Sequence, residues 1–119
     1  MILAIVGSTK VTEEQIEIAK HIIKDTIGQL GPDSIVSGGA VGIDTIAESE
    51  ANRLEIDFLK FLPRNKRWEP QGYKERNLLI VQYCDALLCI RTRQSTTYGS
   101  GWTADKAERL GKDVFRYLI

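Results

Sequence analysis

The sequence Ser37-Gly38-Gly39-Ala40-Val41-Gly42-Ile43-Asp44 lies between an apolar pair, Ile35-Val36, and a helix-forming run from Thr45 to Arg53. Glycine has no Cβ, so the backbone of such a turn can approach a ligand closely. The free N–H groups at the start of the following helix favour an anion, most commonly a phosphate. The pattern therefore predicts a strand, a glycine-rich turn and a helix that together bind a phosphorylated small molecule.

Strand and helix signals alternate on both sides of this turn. The predicted strands cover residues 1–7, 34–37, 56–62, 85–91 and 114–118. The predicted helices run from a Thr12–Gln15 capping box to about residue 30, and over residues 44–54, 73–84 and 102–110. Right-handed β-α-β crossovers place helices on both faces of a parallel sheet. We therefore predict one α/β domain over residues 1–119, a Rossmann-like three-layer sandwich whose five-stranded parallel sheet has the order 3-2-1-4-5.

The composition is that of an ordinary soluble domain, with 43% hydrophobic and 27% charged residues. No stretch approaches the roughly 18 apolar residues of a membrane span, and the apolar start lacks the charged leader of a signal peptide. We expect a cytoplasmic protein without a membrane partner. Cys84 and Cys89 stand in apolar surroundings without metal-ligand spacing, and the chain has one histidine. We therefore expect buried thiols, no metal site and no cofactor.

The formal net charge is zero, but the charges are unevenly distributed. Ten acidic residues stand against three basic ones over residues 13–57, and six basic residues against two acidic ones over residues 60–76. A local basic segment beside an acidic half suits a small anionic ligand better than a long nucleic acid, which usually needs a wider basic surface. A nucleic-acid partner is therefore not expected.

Three polar loops follow strands of the predicted sheet, at the carboxyl ends where such folds bind their ligands. They contain Gly7-Ser8-Thr9, Ser37-Gly38-Gly39 and, with Thr103 just behind it, Gly99-Ser100-Gly101. Neither a G-x-G-x-x-G fingerprint after the first strand nor a G-x-x-x-x-G-K-[ST] loop is present, which argues against a conventional NAD enzyme or ATPase. The loops predict a different kind of anion site, with Gly42 closing its central turn.

Arg76 and Asn77 occupy the start of an apolar helical stripe that continues through Ile80. A buried arginine needs a partner, so either an acid of the protein, Asp44 or Asp105, or a ligand anion must meet it. We favour the ligand, since the start of this helix should lie near the strand ends.

Other side chains of the ligand-side loops fit the same interpretation. Arg64 would add positive charge to a bound anion. Trp68, Tyr98 and Trp102 either stack on a planar base or pack within the protein.

These stretches together resemble the SLOG superfamily of Rossmann-like nucleotide-ligand domains, in particular its small YspA-like members. Residues 37–44 are similar to an S-G-G-A-x-G-x-D turn and to the S-G-x-A-x-G-I-D motif of the DNA-processing protein family. Arg76-Asn77 matches an R-N pair at a helix start, and residues 99–105 resemble a degraded G-G-x-G-T-A-D in which Trp102 replaces a glycine. The resemblance implies a nucleotide-type ligand held by these three stretches.

The related LOG phosphoribohydrolases carry a glutamate three residues after the threonine of that last motif, where this chain has Lys106. The leading prediction is therefore a sensor or binding module for a nucleotide-derived molecule. An enzyme that cleaves a nucleotide N-glycosidic bond is the alternative, with Asp44 or Asp105 as its catalytic acid. Single-stranded DNA binding is the second alternative. A homodimer is compatible with a small sheet whose helices hide one apolar face.

Overall fold

The computed structural model describes residues 1–119 and contains nine elements in strict β-α alternation. The strands are β1 (Ile2–Gly7), β2 (Ser34–Ser37), β3 (Asp57–Lys60), β4 (Ala86–Arg91) and β5 (Asp113–Leu118). The helices are α1 (Glu13–Leu30), α2 (Ile43–Arg53), α3 (Tyr73–Tyr83) and α4 (Gly99–Arg109). None of the four helices is long and apolar enough to cross a membrane.

The five strands form one parallel sheet in the order β3-β2-β1-β4-β5, which confirms the predicted topology. The register places Leu3 of β1 beside Ile35 of β2 on one side and Ala86 of β4 on the other. β1 is thus the central strand. Its continuous apolar run follows from this position, because a central parallel strand is covered by helices on both faces.

Each face of the sheet has its own apolar core. On one face α1 and α2 cover Leu3, Ile5 and Leu88, and on the other α3 and α4 cover Ala4 and Leu87. All five side chains are fully buried. The two cores hold the sheet rigid, so that the loops at its carboxyl edge project from a fixed frame.

The element boundaries agree with the sequence prediction within two residues, except at the start of α4. That helix begins at Gly99, and the prediction of a loop continuing to Trp102 is wrong. The Trp102 N–H donates to the Tyr98 carbonyl at 2.7 Å, and the Thr103 hydroxyl donates to the Gly99 carbonyl at 2.8 Å. These bonds and the packing around Trp102 outweigh the low helix propensity of two glycines.

The helix N-termini differ in how they are capped. α1 starts with the predicted capping box, in which Thr12 and Gln15 bond to each other's backbone N–H. No side chain caps α2, α3 or α4. In their first turns the Ile43 N–H donates to the Ser8 carbonyl and the Tyr73 N–H to the Arg67 carbonyl, and the other N–H groups remain available to further partners.

Gly42 joins the β1–α1 loop to the start of α2. Its φ of 84° is in the left-handed region, and a Cβ there would lie 2.6 Å from the carbonyl oxygen of Thr9. The Ile43 N–H donates to the Ser8 carbonyl at 3.1 Å across this close approach. Gly42 thus serves the packing of two backbone segments.

We expect Gly42→Ala to lower the free energy of unfolding by about 2 kcal/mol or more, because the new Cβ meets backbone at a strained φ. Gly28→Ala is the matched control. A Cβ at Gly28 meets nothing within 4 Å, and alanine is the better helix former. The free energy of unfolding of this variant should therefore rise by about 0.5–1 kcal/mol. Urea unfolding followed by circular dichroism measures both, and equal effects at the two sites would contradict the assignment.

Candidate functional site

A cavity of about 580 Å³ opens at the carboxyl edge of the sheet and is lined by 18 residues. It brings together ten of the predicted site residues: Gly7, Ser8, Thr9, Gly38, Asp44, Arg76, Asn77, Gly99, Ser100 and Thr103. The other predicted residues do not line it: Ser37, Gly39, Gly42, Arg64, Gly101 and Asp105. The three separate stretches of sequence thus meet around one space, which lies where ligands of this fold class bind.

Arg76 lies in the wall of this cavity and is only 8% exposed. Its Nη1 donates to the Gly38 carbonyl at 2.6 Å, and its Nε donates to Asn77 Oδ1 at 2.6 Å. No acidic side chain forms an ion pair with it, so neither Asp44 nor Asp105 is the acidic partner considered from the sequence. Burial lowers the pKa of the guanidinium, and the nearby Asp44 charge opposes that shift. A buried cation therefore stands beside an open space without a carboxylate of the protein paired to it.

The absence of a Cβ at Gly38 makes this arrangement possible. A Cβ at that position would lie 2.6 Å from Cζ of Arg76. The sequence predicted that the glycine admits a ligand phosphate to the backbone. In the structure it admits the arginine of the same chain.

Asp44 lies in the first turn of α2 and is 6% exposed. Its Oδ2 accepts a hydrogen bond from the Ala40 N–H at 3.1 Å, so the glycine-rich turn binds the chain's own carboxylate. Burial raises the pKa of Asp44 to about 6, against the opposing effects of the Ala40 N–H and the Arg76 charge. The cavity thus contains an acid that can change protonation near neutral pH.

Three uncapped helix N-termini face the cavity. The first turns of α2, α3 and α4 supply Asp44, Tyr73 and Gly99 to its lining. Aligned peptide dipoles give each N-terminus a partial positive charge. Together with Arg76, these ends make a site that favours an anion.

Aromatic side chains form a second part of the cavity wall. Trp68 and Trp102 meet edge to face with ring centroids 5.2 Å apart, and Tyr73 and Tyr98 complete the wall. The sequence left stacking and packing open for three of these residues and missed Tyr73. Its position one helical turn before Arg76 was the available signal. The wall offers apolar ring faces and edges beside the anion-attracting part.

Asp105 contacts the aromatic wall on the side that faces away from the cavity. Its Oδ2 accepts from the Tyr98 hydroxyl at 3.1 Å, and its Oδ1 accepts from Arg116 at 2.9 Å. Tyr98 itself packs against Gly101, where a Cβ would lie 2.7 Å from the ring. Asp105 therefore holds a wall residue in place and has no surface in the cavity. Arg64 is likewise engaged elsewhere, in an exposed ion pair with Glu75.

The inner end of the cavity is built from buried polar contacts. Ser8 is 4% exposed, and its Oγ accepts from the Thr92 N–H at 2.9 Å. The Ser37 hydroxyl donates to the Ile5 carbonyl at 2.7 Å and lies below the cavity surface. No group of three or more His, Cys, Asp or Glu side chains is arranged to hold a metal ion. Cys84 and Cys89 are both buried free thiols, as predicted.

A family model described as DNA recombination-mediator protein A matches residues 1–60, which is just over half of the chain. The matched segment contains the glycine-rich turn and Asp44, and ends before Trp68, Arg76 and α4. Sequence comparison with curated proteins finds no significant match.

Solved structures share the fold. DNA processing protein A from Streptococcus pneumoniae superposes with a TM-score of 0.72 at 24% identity, over 96% of this chain and 49% of that one. The structural genomics target TM1055 gives 0.73 at 16% identity, over 95% and 71%. The molybdenum cofactor carrier protein from Chlamydomonas reinhardtii gives 0.72 at 18% identity, over 97% and 74%. The chain thus spans about half the length of DNA processing protein A.

We expect Asp44→Asn to remove a pH-dependent loss of stability. Because folding raises the pKa of Asp44, the native state holds its proton more tightly than the unfolded chain does. The stability that the protonated Asp44 carboxyl adds to the native state is fully present below about pH 4. It falls as the pH rises to about 6 and stays low above that. The free energy of unfolding of Asp44→Asn, measured relative to that of wild type, should therefore rise by on the order of 2 kcal/mol between pH 4 and pH 7.5.

Urea unfolding of both proteins across this pH range measures the difference. Asp57→Asn, at an exposed aspartate, is the control and should show no such trend. A difference between wild type and Asp44→Asn that does not change with pH would contradict the assignment.

Proposed function

Because the chain belongs to the DNA recombination-mediator protein A family, we propose that its cavity binds a nucleotide or another nucleotide-derived phosphorylated molecule. This membership and the shared fold confirm the resemblance to SLOG domains found in the sequence. The domain then acts as a sensor or binding module. The observation that carries this function is Arg76, a buried cation in the cavity wall with no acidic partner.

A phosphate is the ligand group that matches the polar part of the cavity. Arg76 supplies a full positive charge, and the uncapped ends of α3 and α4 supply backbone N–H groups from two further directions. A desolvated arginine binds phosphate oxygens strongly and with directional hydrogen bonds. Asn77 is held by Arg76 Nε through its Oδ1, so its amide NH₂ remains free to donate.

A planar heteroaromatic ring is the ligand group that matches the aromatic wall of the cavity. Trp68 is 43% exposed, lines the cavity and meets the Trp102 ring edge to face. Lys74 Nζ lies over the Trp68 ring, 5.6 Å from its centroid. Stacking of a nucleobase on an indole contributes about 1–3 kcal/mol. A nucleotide would therefore use both parts of the cavity at once.

The charge of the lining suits a small anion better than a polyanion. Asp44 and Arg76 are its only charged side chains and cancel formally, which leaves the three helix ends as the remaining positive potential. We place the protein in the cytoplasm, where its two free thiols remain reduced. The proposed binding requires no metal or cofactor.

A thermal-shift panel tests this function. It contains inorganic phosphate, ribose 5-phosphate, nucleosides, nucleotides, cyclic nucleotides and ADP-ribose. A ligand that binds only the native state raises the melting temperature. We expect a nucleotide-type compound to raise that of wild type, and Arg76→Gln to lose the shift. Glutamine keeps amide donors but removes the positive charge from the cavity wall.

Arg109→Gln, exposed at the far end of α4, is the matched control and should keep the shift. Trp68→Leu should weaken nucleotide binding and leave the smaller effect of inorganic phosphate unchanged. If no phosphorylated compound stabilises wild type, or if Arg76→Gln responds as wild type does, the proposed function is refuted.

Hydrolysis of the bound nucleotide is a second candidate, favoured by the raised pKa of Asp44 inside the cavity. Asp44 would accept a proton from the water that attacks the anomeric carbon and return it to the leaving base. Asp44→Asn should then keep the thermal shift and abolish release of free base. If wild type releases no base from any nucleotide that binds, the protein is a binding module.

Single-stranded DNA is a third candidate, favoured by the description of the family. An oligonucleotide is therefore added to the panel. Binding that falls steeply with salt, at several released counterions, would identify a polymer ligand in place of a small molecule.

A further inference from the structure

The last residues of β4 and β5 place two arginines on the same face of the sheet. Cys89 and Arg91 alternate along β4, and side chains two residues apart on a strand point to the same face. Their partners on the neighbouring β5 are Arg116 and Leu118. Cys89 packs into the core that α3 and α4 cover. Arg91 and Arg116 therefore lie on the α4 side of the sheet, near its carboxyl edge.

A pocket of about 250 Å³ opens between these strand ends and the start of α4. We call it the β5 pocket, and its lining residues are Cys89, Arg91, Tyr98, Arg116, Tyr117 and Leu118. It is separate from the cavity described above, and Tyr98 is the one residue that lines both. Burial raises the pKa of the Cys89 thiol to about 11 and keeps it neutral. The charged residues of the lining are therefore the two arginines alone.

Arg116 is paired with acids of the protein. Its guanidinium donates to Asp105 Oδ1 at 2.9 Å and lies 3.5 Å from Glu108 Oε2. Asp105 also accepts from the Tyr98 hydroxyl. The two acids of α4 thus neutralise Arg116, and the same network fixes the tyrosine that stands between the cavity and the β5 pocket.

Arg91 has no acidic partner. Its guanidinium has five N–H donors and makes one hydrogen bond in the protein, from Nη2 to the Thr97 carbonyl at 3.2 Å. The guanidinium also lies over the Tyr98 ring, with Cζ 4.7 Å from the ring centroid. These two contacts orient a positive charge at the β5 pocket without neutralising it.

One donor of Arg91 is buried without an acceptor. No atom of the protein accepts from its Nε, and no other buried side-chain nitrogen or oxygen of the chain lacks a partner in this way. Such a donor destabilises a folded state by about 1–3 kcal/mol. Native proteins keep few of them, and each calls for an explanation. An anion on the guanidinium supplies the opposite charge and acceptors for its other donors, and so offsets the cost of burying it.

We propose that the β5 pocket is a second anion-binding site, in which Arg91 binds a phosphate group. The planar fork of an arginine matches two phosphate oxygens, and the Tyr98 ring already holds this fork in place. The β5 pocket is smaller than the roughly 300–1,000 Å³ of sites that enclose a whole small-molecule ligand. It therefore takes a phosphate group and not an entire nucleotide. Arg76 is not part of it, so this site goes beyond the proposed function.

NMR signals of arginine Nε–Hε groups test the site. The signal of Arg91 is identified by its absence from Arg91→Lys, which keeps the positive charge and removes the fork. Inorganic phosphate should move this signal in wild type and saturate it with a dissociation constant of about 1 mM or less. Arg93→Lys, at an exposed arginine two residues further on, is the matched control and should leave that response unchanged.

The same titration in Arg76→Gln separates the β5 pocket from the cavity. The Arg91 signal should respond there as in wild type. Loss of the nucleotide-dependent thermal shift reports on the cavity and the Arg91 signal on the β5 pocket, so the two proposals fail separately.

Two results would overturn the second site. The first is an Arg91 signal that stays still, or that drifts without saturating as the signal of the exposed Arg93 does, since phosphate would then only screen the charge. The second is a response to adenosine 5′-monophosphate but not to inorganic phosphate, which would assign Arg91 to the ligand of the cavity. If Arg91→Lys fails to fold, backbone connectivities assign the signal in wild type and the titration still decides.

Discussion

The hydrogen bond between the Arg76 guanidinium and the Gly38 carbonyl, 2.6 Å long, is the contact on which the site depends. It joins the turn after β2 to the start of α3, which are 38 residues apart in the chain and belong to different layers of the sandwich. The missing side chain of Gly38 makes room for it, and Asn77 holds the guanidinium from the other side. A side chain at position 38 would therefore displace the guanidinium of Arg76.

Asp44 and Arg76 line the same cavity with opposite charges and yet form no ion pair. Each is desolvated, which raises the pKa of the acid and lowers that of the base. Burying a charge without a direct partner destabilises a fold, and cavities that keep such groups are typically functional ones. The capping of the helix N-termini supports the same conclusion. The helix that contributes nothing to the cavity has a complete capping box, whereas the three helices that face it have none.

The similar solved structures show that the fold alone does not determine the function of such a domain. Proteins described as a DNA processing protein and as a molybdenum cofactor carrier share the same architecture with this chain at 24% and 18% identity. Function in such a family depends on the residues at the carboxyl edge of the sheet. Here Trp102 stands where the related motif has a glycine, and with Trp68 it forms an aromatic wall of the cavity. The cavity of this chain thus combines a polar floor with an aromatic wall.

The sequence by itself determined the strand order, the capping box of α1 and the inward stripe of α3 that begins at Arg76 and Asn77. These follow from periodicity, caps and the handedness of crossovers, which are local properties of the chain. Only the tertiary structure decided what the groups at the sheet edge bind. Asp44 accepts from the glycine-rich turn, Arg76 bonds a carbonyl instead of an acid, and Asp105 supports Tyr98 from behind the wall. It also decided that α4 begins at Gly99. Those outcomes depend on which distant segments meet, and local sequence patterns carry no information about such contacts.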